Sequence, residues 1–153
     1  MDSAIRKRIY EFIEQKGFRK TAQRDAIIEA AFSTTDHYTA EELLVMAKKV
    51  EPSVSRATIY RTLPLLVASG VLKEMDFGKE YKYYDPNYNA HPFHNHLICM
   101  DCDKIVEFDD INIDTLENCI SKRLGFSPSK KIVRIEAKCD RLKTSGVCKN
   151  KGK

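Results

Sequence analysis

Apolar residues recur at helical spacing from the start of the chain. Ile5, Ile9, Phe12 and Ile13 fall on one face of a helix over the first 16 residues, and Gly17 marks its end. Thr21 is placed to cap a second helix whose apolar side is Ile27, Ile28, Ala31 and Phe32, before the polar break Ser33-Thr34-Thr35-Asp36. Thr39-Ala40-Glu41-Glu42 has the Thr-x-x-Glu form of a capping box, so a third helix is expected, with Leu43, Leu44 and Ala47 inward and Pro52 closing it. Ser53-Val54-Ser55 offers the cap of a fourth, running from Ser55 to Gly70. Ile59, Leu63 and Leu66 share one side of it, Ala57, Thr58 and Arg61 the opposite side, and Arg56 and Tyr60 a flank. Pro64 removes one hydrogen bond and crowds the preceding turn at a cost of ~3 kcal/mol, which predicts a kink after Leu63.

The period then shortens. Residues 71–75 and 81–84 are β-prone runs flanking Gly78, a hairpin pattern. Three helices and a hairpin behind a leading helix make a winged helix-turn-helix over residues 1–85. The Pro, Asn and Asp content of Asp85-Pro86-Asn87-Tyr88-Asn89-Ala90 places a hinge at 86–90. Over 91–153 the pattern gives strands at 96–99 and 105–108, a helix at 114–124 and a strand at 132–137, so the fold class is α+β. Residues 149–153 read as a loose Lys-rich tail.

Composition narrows the function more than the fold. The 42% hydrophobic content of 153 residues suffices for folded domains. No apolar run approaches the ~18 residues that cross a bilayer, and Met1-Asp2-Ser3-Ala4-Ile5-Arg6 lacks the layout of a secretory signal, so a cytoplasmic protein with no membrane partner is expected. A net charge of +4 is too small to diagnose a nucleic-acid partner, although residues 1–24 hold seven Lys or Arg against three Asp or Glu. Five cysteines are an odd number, and in a reducing compartment they read as metal ligands or buried thiols rather than as a disulfide framework.

Cys99-Met100-Asp101-Cys102 is the strongest chemical signal, since a Cys-x2-Cys turn sets two thiolates around one zinc ion. Cys139 and Cys148, the second beyond a flexible Thr144-Ser145-Gly146 segment, either complete a closed structural site or are ordinary thiols. Cys119 lies with Leu116, Ile120 and Leu124 on one helix face and reads as a buried core thiol. Three of the four histidines fall in His91-Pro92-Phe93-His94-Asn95-His96. In an extended chain His94 and His96 point the same way and can share a metal, with Glu107 and Asp85 as nearby carboxylates; such a set suits Fe(II), Mn(II), Co(II) or Zn(II). His37 belongs to the other domain, and a metal using it would tie the two together.

His94-x-His96-Leu-Ile-Cys99-x2-Cys102-x-Lys104-Ile-Val-Glu107-Phe108, preceded by Ser55-Arg56-Ala57-Thr58-Ile59-Tyr60-Arg61-Thr62-Leu63, closely resembles the ferric uptake regulator family, over about Gly17 to Cys148. The resemblance implies a homodimeric repressor. Its N-terminal winged helix-turn-helix DNA-binding domain binds double-stranded palindromic operator DNA when a regulatory metal is loaded, and its C-terminal α/β domain serves dimerisation. It implies His37, Asp85, His94, His96 and Glu107 as regulatory ligands for Fe2+ or Mn2+ (Zn2+ being possible), and Cys99, Cys102, Cys139 and Cys148 as ligands of structural Zn2+. It also implies DNA contacts from Arg19, Arg56, Thr58, Tyr60 and Arg61. The chain departs from the pattern in a longer hinge, which makes His91 a substitute for Asp85, and in the wider spacing of Cys139 and Cys148. Asp103 stands in a glycine's place. A further metal site of several members would need ligands where this chain has Phe93, Asn95 and Lys131, so its absence is expected. Three alternatives remain at this stage: a peroxide sensor of the same family using metal-catalysed histidine oxidation, a zinc-dependent hydrolase, and a plain zinc-stabilised interaction module. The first is disfavoured because such sensors tend to have Asp where Glu107 stands, the second because no His-Glu-x-x-His helix is present.

Overall fold

The computed structural model describes residues 3–87 and 94–148. The chain divides into two compact units, Met1–Pro92 and Phe93–Lys153. His91 and Phe93 lie outside the described residues.

Four helices and a small sheet build the first unit: α1 (Ser3–Gln15), α2 (Ala22–Ala31), β1 (Tyr38–Thr39), α3 (Ala40–Val50), α4 (Arg56–Ala68), β2 (Lys73–Met75) and β3 (Tyr83–Asp85). The caps fall where the sequence puts them. Thr21 accepts from the amide of Arg24, Ser55 accepts from that of Thr58, and Thr39 with Glu42 forms the reciprocal capping box. Each satisfies amides that the first helical turn leaves without partners. Ile9, Ile27, Ile28, Leu43, Ile59 and Leu66 are fully buried, and each contributes roughly 1.5–3 kcal/mol of transfer free energy. α4 continues through Pro64 to Ala68. Pro64 and Tyr60 are both exposed, so water is at hand for the Tyr60 carbonyl that loses its partner. Gly70, at φ +73°, ends the helix; an added Cβ would stand 2.9 Å from the Arg8 guanidinium.

The wing is a three-stranded sheet rather than a bare hairpin. Its order is β1-β3-β2, because Tyr38 and Thr39 pair antiparallel with Tyr84 and Tyr83. Two residues are too few for periodicity to reveal such a strand. Asp85 closes β3 opposite Lys73 and is fully buried, so it belongs to the sheet and not to the hinge.

In the second unit a sheet of order β5-β4-β6 comprises β4 (Asn95–Cys99), β5 (Ile105–Phe108) and β6 (Arg134–Ala137). β4 is antiparallel to β5 and parallel to β6. The helix α5 (Ile111–Arg123) starts earlier than the pattern predicts, because the Asp110 carboxylate caps the amides of Asn112 and Ile113. α6 (Asp140–Ser145) replaces the expected flexible stretch, ending at Gly146 in the left-handed conformation. α5 buries none of its residues, and Cys119 is exposed, not a core thiol. The face on which it was expected to be buried is uncovered: Leu116 is 60% exposed and Leu124 65%.

Candidate metal centre and nucleic-acid interface

Strand alternation assembles the imidazoles. His94 and His96, two apart on the approach to and within β4, are both buried, with ring centroids 4.5 Å apart. The β4–β5 register sets His96 opposite Glu107, whose Oε1 lies 3.5 Å from Nε2 of His94. One ligand atom from each of His94, His96 and Glu107 falls within 4.8 Å of the others. Burial, then the neighbouring charge of His94, lowers the His96 pKa from 6.5 to about 4. His96 is thus neutral at physiological pH, the form that donates a lone pair to a cation. Two buried imidazoles and a half-buried carboxylate, convergent, fit a borderline divalent metal.

The described residues also gather the thiols. The β4–β5 turn is closed by the Cys99 amide on the Lys104 carbonyl (2.9 Å) and the Asp103 amide on the Cys99 carbonyl (3.0 Å). Asp103 takes φ +62°, the conformation its glycine-like position requires. Asp101 accepts from the Cys139 amide at 2.7 Å, docking the start of α6 beside the turn. Cys139 and Cys148 are unbridged, with sulfurs 3.7 Å apart, close to the edge of about 3.8 Å expected of a tetrahedron with zinc–sulfur bonds near 2.3 Å. The Cys102 thiol is pushed up to about 11, chiefly by burial and further by the side chains of Cys99 and Cys148. A crowded thiol that resists ionising alone suits a cation that neutralises it. Where the sequence departs from a further metal site, Lys131 lays its ammonium against the Asp114 carboxylate and reaches Asn118 Oδ1 at 3.1 Å, while the Asn95 side chain accepts from the Val133 amide.

In the first unit, His37 is half-buried in the loop before β1. The Asp85 carboxylate accepts from the Asn87 amide at 2.7 Å. On the outer face of α4, Arg56, Tyr60 and Arg61 are exposed, as is Arg19. Thr58 is half-buried and donates to Gln23 at 2.8 Å, tying α4 to α2. Glu41, counted in the sequence only as part of a cap, accepts from both Arg56 and Tyr60. Its Thr-x-x-Glu context hid this role, since no local spacing joins residues 15 and 19 apart.

A helix-turn-helix with a β wing, followed by a sheet unit holding an imidazole–carboxylate cluster and gathered thiols, defines a metal-responsive transcription regulator. The chain belongs to the ferric uptake regulator family, whose model matches residues 15–136. The ferric uptake regulation protein of Campylobacter jejuni is 32% identical over 145 residues, 94% of this chain and 87% of that protein. The peroxide-responsive repressor PerR of Staphylococcus aureus is 31% identical over 137 residues, covering 90% and 84%. A solved zinc-bound manganese uptake regulator superimposes with a TM-score of 0.71 at 27% identity, covering 86% of this chain and 98% of that one. Regulators of this family bind DNA and are dimers. No described helix is long and apolar enough to cross a membrane.

Proposed function

We propose that the chain is an iron-responsive repressor that acts in the cytoplasm without catalysing a reaction, binding palindromic operator DNA as a homodimer. The observation that carries this reading is the convergence of the buried His94 and His96 with the half-buried Glu107. His37 and Asp85 of the first unit, with His91 as a substitute for Asp85, complete the regulatory set. Bound there, Fe2+, Mn2+ or Zn2+ supplies the positive charge that offsets the carboxylates. Because the set draws on both units, its completion favours one arrangement of them, and differential affinity for that arrangement is what couples occupancy to DNA binding. Cys99, Cys102, Cys139 and Cys148 hold a structural zinc with no open position. The exposed apolar residues of α5 are the surface that a second copy would cover.

On the DNA face, Tyr60 offers a ring for thymine methyls, Arg56 and Arg61 a fork for guanine or phosphate, and Arg19 a cation for a narrow minor groove. Thr58 sets the entry angle of α4 through Gln23. The likeness to PerR favours peroxide sensing as a second reading, with histidine oxidation as its signature. The test is binding to a duplex selected by the protein from a random pool, titrated with Fe(II), Mn(II) and Zn(II) and repeated after peroxide. His94→Ala should abolish the metal dependence while tightly held zinc and helix content stay. Unchanged binding on that substitution and on chelation would refute the reading. Irreversible loss with added oxygen on His94 or His96 would move the assignment to peroxide sensing.

A further inference from the structure

We infer that Glu41 is a specificity-determining residue of the DNA-binding face: it holds Arg56 and Tyr60 together and keeps the guanidinium from gripping phosphates indiscriminately. The inference rests on the DNA-binding reading above. Glu41 stands in the first turn of α3, but the capping box there is closed by Glu42, whose Oε2 accepts from the Thr39 amide at 2.7 Å and hydroxyl at 2.9 Å. The Glu41 carboxylate is therefore available for other partners. Its Oε2 accepts from Arg56 Nη2 at 2.8 Å and its Oε1 from the Tyr60 hydroxyl at 3.3 Å. Arg56 and Tyr60 are four apart on α4, hence neighbours on one outward stripe. One carboxylate thus spans the gap between α3 and α4 and engages two side chains that α4 presents outward.

Fold stability does not explain this arrangement. The Arg56 and Glu41 side chains are 69% and 49% exposed, and exposed ion pairs contribute roughly 0–1 kcal/mol. Tyr60 is 53% exposed, a large ring standing out from the surface. The effect on a DNA partner is greater. A bare guanidinium binds any duplex through its phosphates, whatever the bases. A carboxylate on Arg56 cancels that attraction, since the pair carries no net charge. A duplex offering a base edge to Arg56 and a methyl to the Tyr60 ring compensates for parting the pair, and other sequences do not. Glu41 therefore weakens all binding but weakens non-cognate binding more.

The experiment uses the full-length protein loaded with Fe(II) or Mn(II), wild type and Glu41→Gln, on two duplexes over a range of KCl concentrations. One duplex is selected from a random pool by the wild type, and the other is its scrambled counterpart. Glu41→Gln should bind the scrambled duplex about tenfold more tightly, with its salt slope steeper by about one, from the freed cation. The selected duplex should gain only about twofold, because the Tyr60 ring is no longer held in place. In Arg56→Ala, adding Glu41→Gln should lose most of the scrambled-duplex gain. An unchanged affinity ratio and salt slope would overturn the inference. So would a gain that persists in full without Arg56, since the carboxylate would then act by bare repulsion. A wild type that selects no duplex at all would instead remove the DNA-binding reading itself, and the inference with it.

Discussion

The two units bury different kinds of residue. In the first, Ile27, Leu43, Ile59 and Leu66 close a core contributed by four helices, and the chain supplies all that this core needs. In the second, the buried residues among those described are His94, His96, Ile98, Cys99 and Cys148, so four of five are candidate metal donors. Its one long helix shows the converse: Ile111 is 75% exposed, Leu116 60% and Leu124 65%. One unit is held by its own hydrophobic contacts. The other buries candidate ligands and leaves its long helix uncovered, and on the proposed reading an ion at the thiols and a second copy on α5 supply what is missing. On that reading the division suits a regulator, because the DNA-reading unit would stay folded whatever the metal supply while the sensing unit would depend on its ligands.

The largest expected effect tests the division directly. Cys102→Ser should remove the zinc and, since structural zinc binding in small domains is worth about 10–16 kcal/mol, unfold the second unit. Amide resonances of residues 96–99 and 134–137 should collapse while those of α2–α4 persist; survival of both sets would break the comparison. Leu43→Ala should act in the opposite place. It should cost about 2–5 kcal/mol in the first unit, read as a lower denaturant midpoint there, with zinc content intact. Leu124→Ala deletes the same atoms from an exposed site. It should leave the first unit's midpoint alone and weaken the dimer by about 1–2 kcal/mol, read by sedimentation against concentration. A loss of intrinsic stability equal to that of Leu43→Ala would show that α5 packs within its own chain.

The same difference governs what was legible in the sequence. Helices of the first unit follow the apolar period and the Ser and Thr caps because each buries a stripe in its own core. Thr21, Thr39 and Ser55 sit where they were expected. Strand alternation was enough to put His94 and His96 together, and a Cys-x2-Cys turn is local chemistry. Features made by distant pairing were hidden: β1, two residues matched to β3; the placement of Asp85 in a strand; and Glu41 across from Arg56. The burial expected of Cys119 failed for a related reason. An apolar helix face predicts that something covers it, but not whether that cover is the same chain. Gly146, read as part of a flexible stretch, instead stops a short helix whose first residue follows Cys139.

Two smaller effects sharpen the contrast within the second unit. Its buried imidazole makes stability depend on pH in metal-free protein. His96 titrates at about 4 when folded against an ordinary 6.5, so the unfolded chain takes up a proton that the folded one refuses. The stabilisation is in place above about pH 6.5 and is lost as pH falls toward 4, at about 1.4 kcal/mol per unit. His96→Gln should flatten that part of the urea-midpoint profile relative to wild type, and parallel profiles would show the ring to be solvated. The smallest effect belongs to Cys119, the one cysteine outside the gathered thiols and exposed on α5. Cys119→Ser removes neither a ligand nor a filled core volume, so stability should move by no more than about 0.5 kcal/mol and zinc content not at all. A loss of zinc equivalents would mean that the thiol set had been assigned wrongly. A lower midpoint with full zinc would place Cys119 under the partner copy, where a hydroxyl is harder to bury than a thiol.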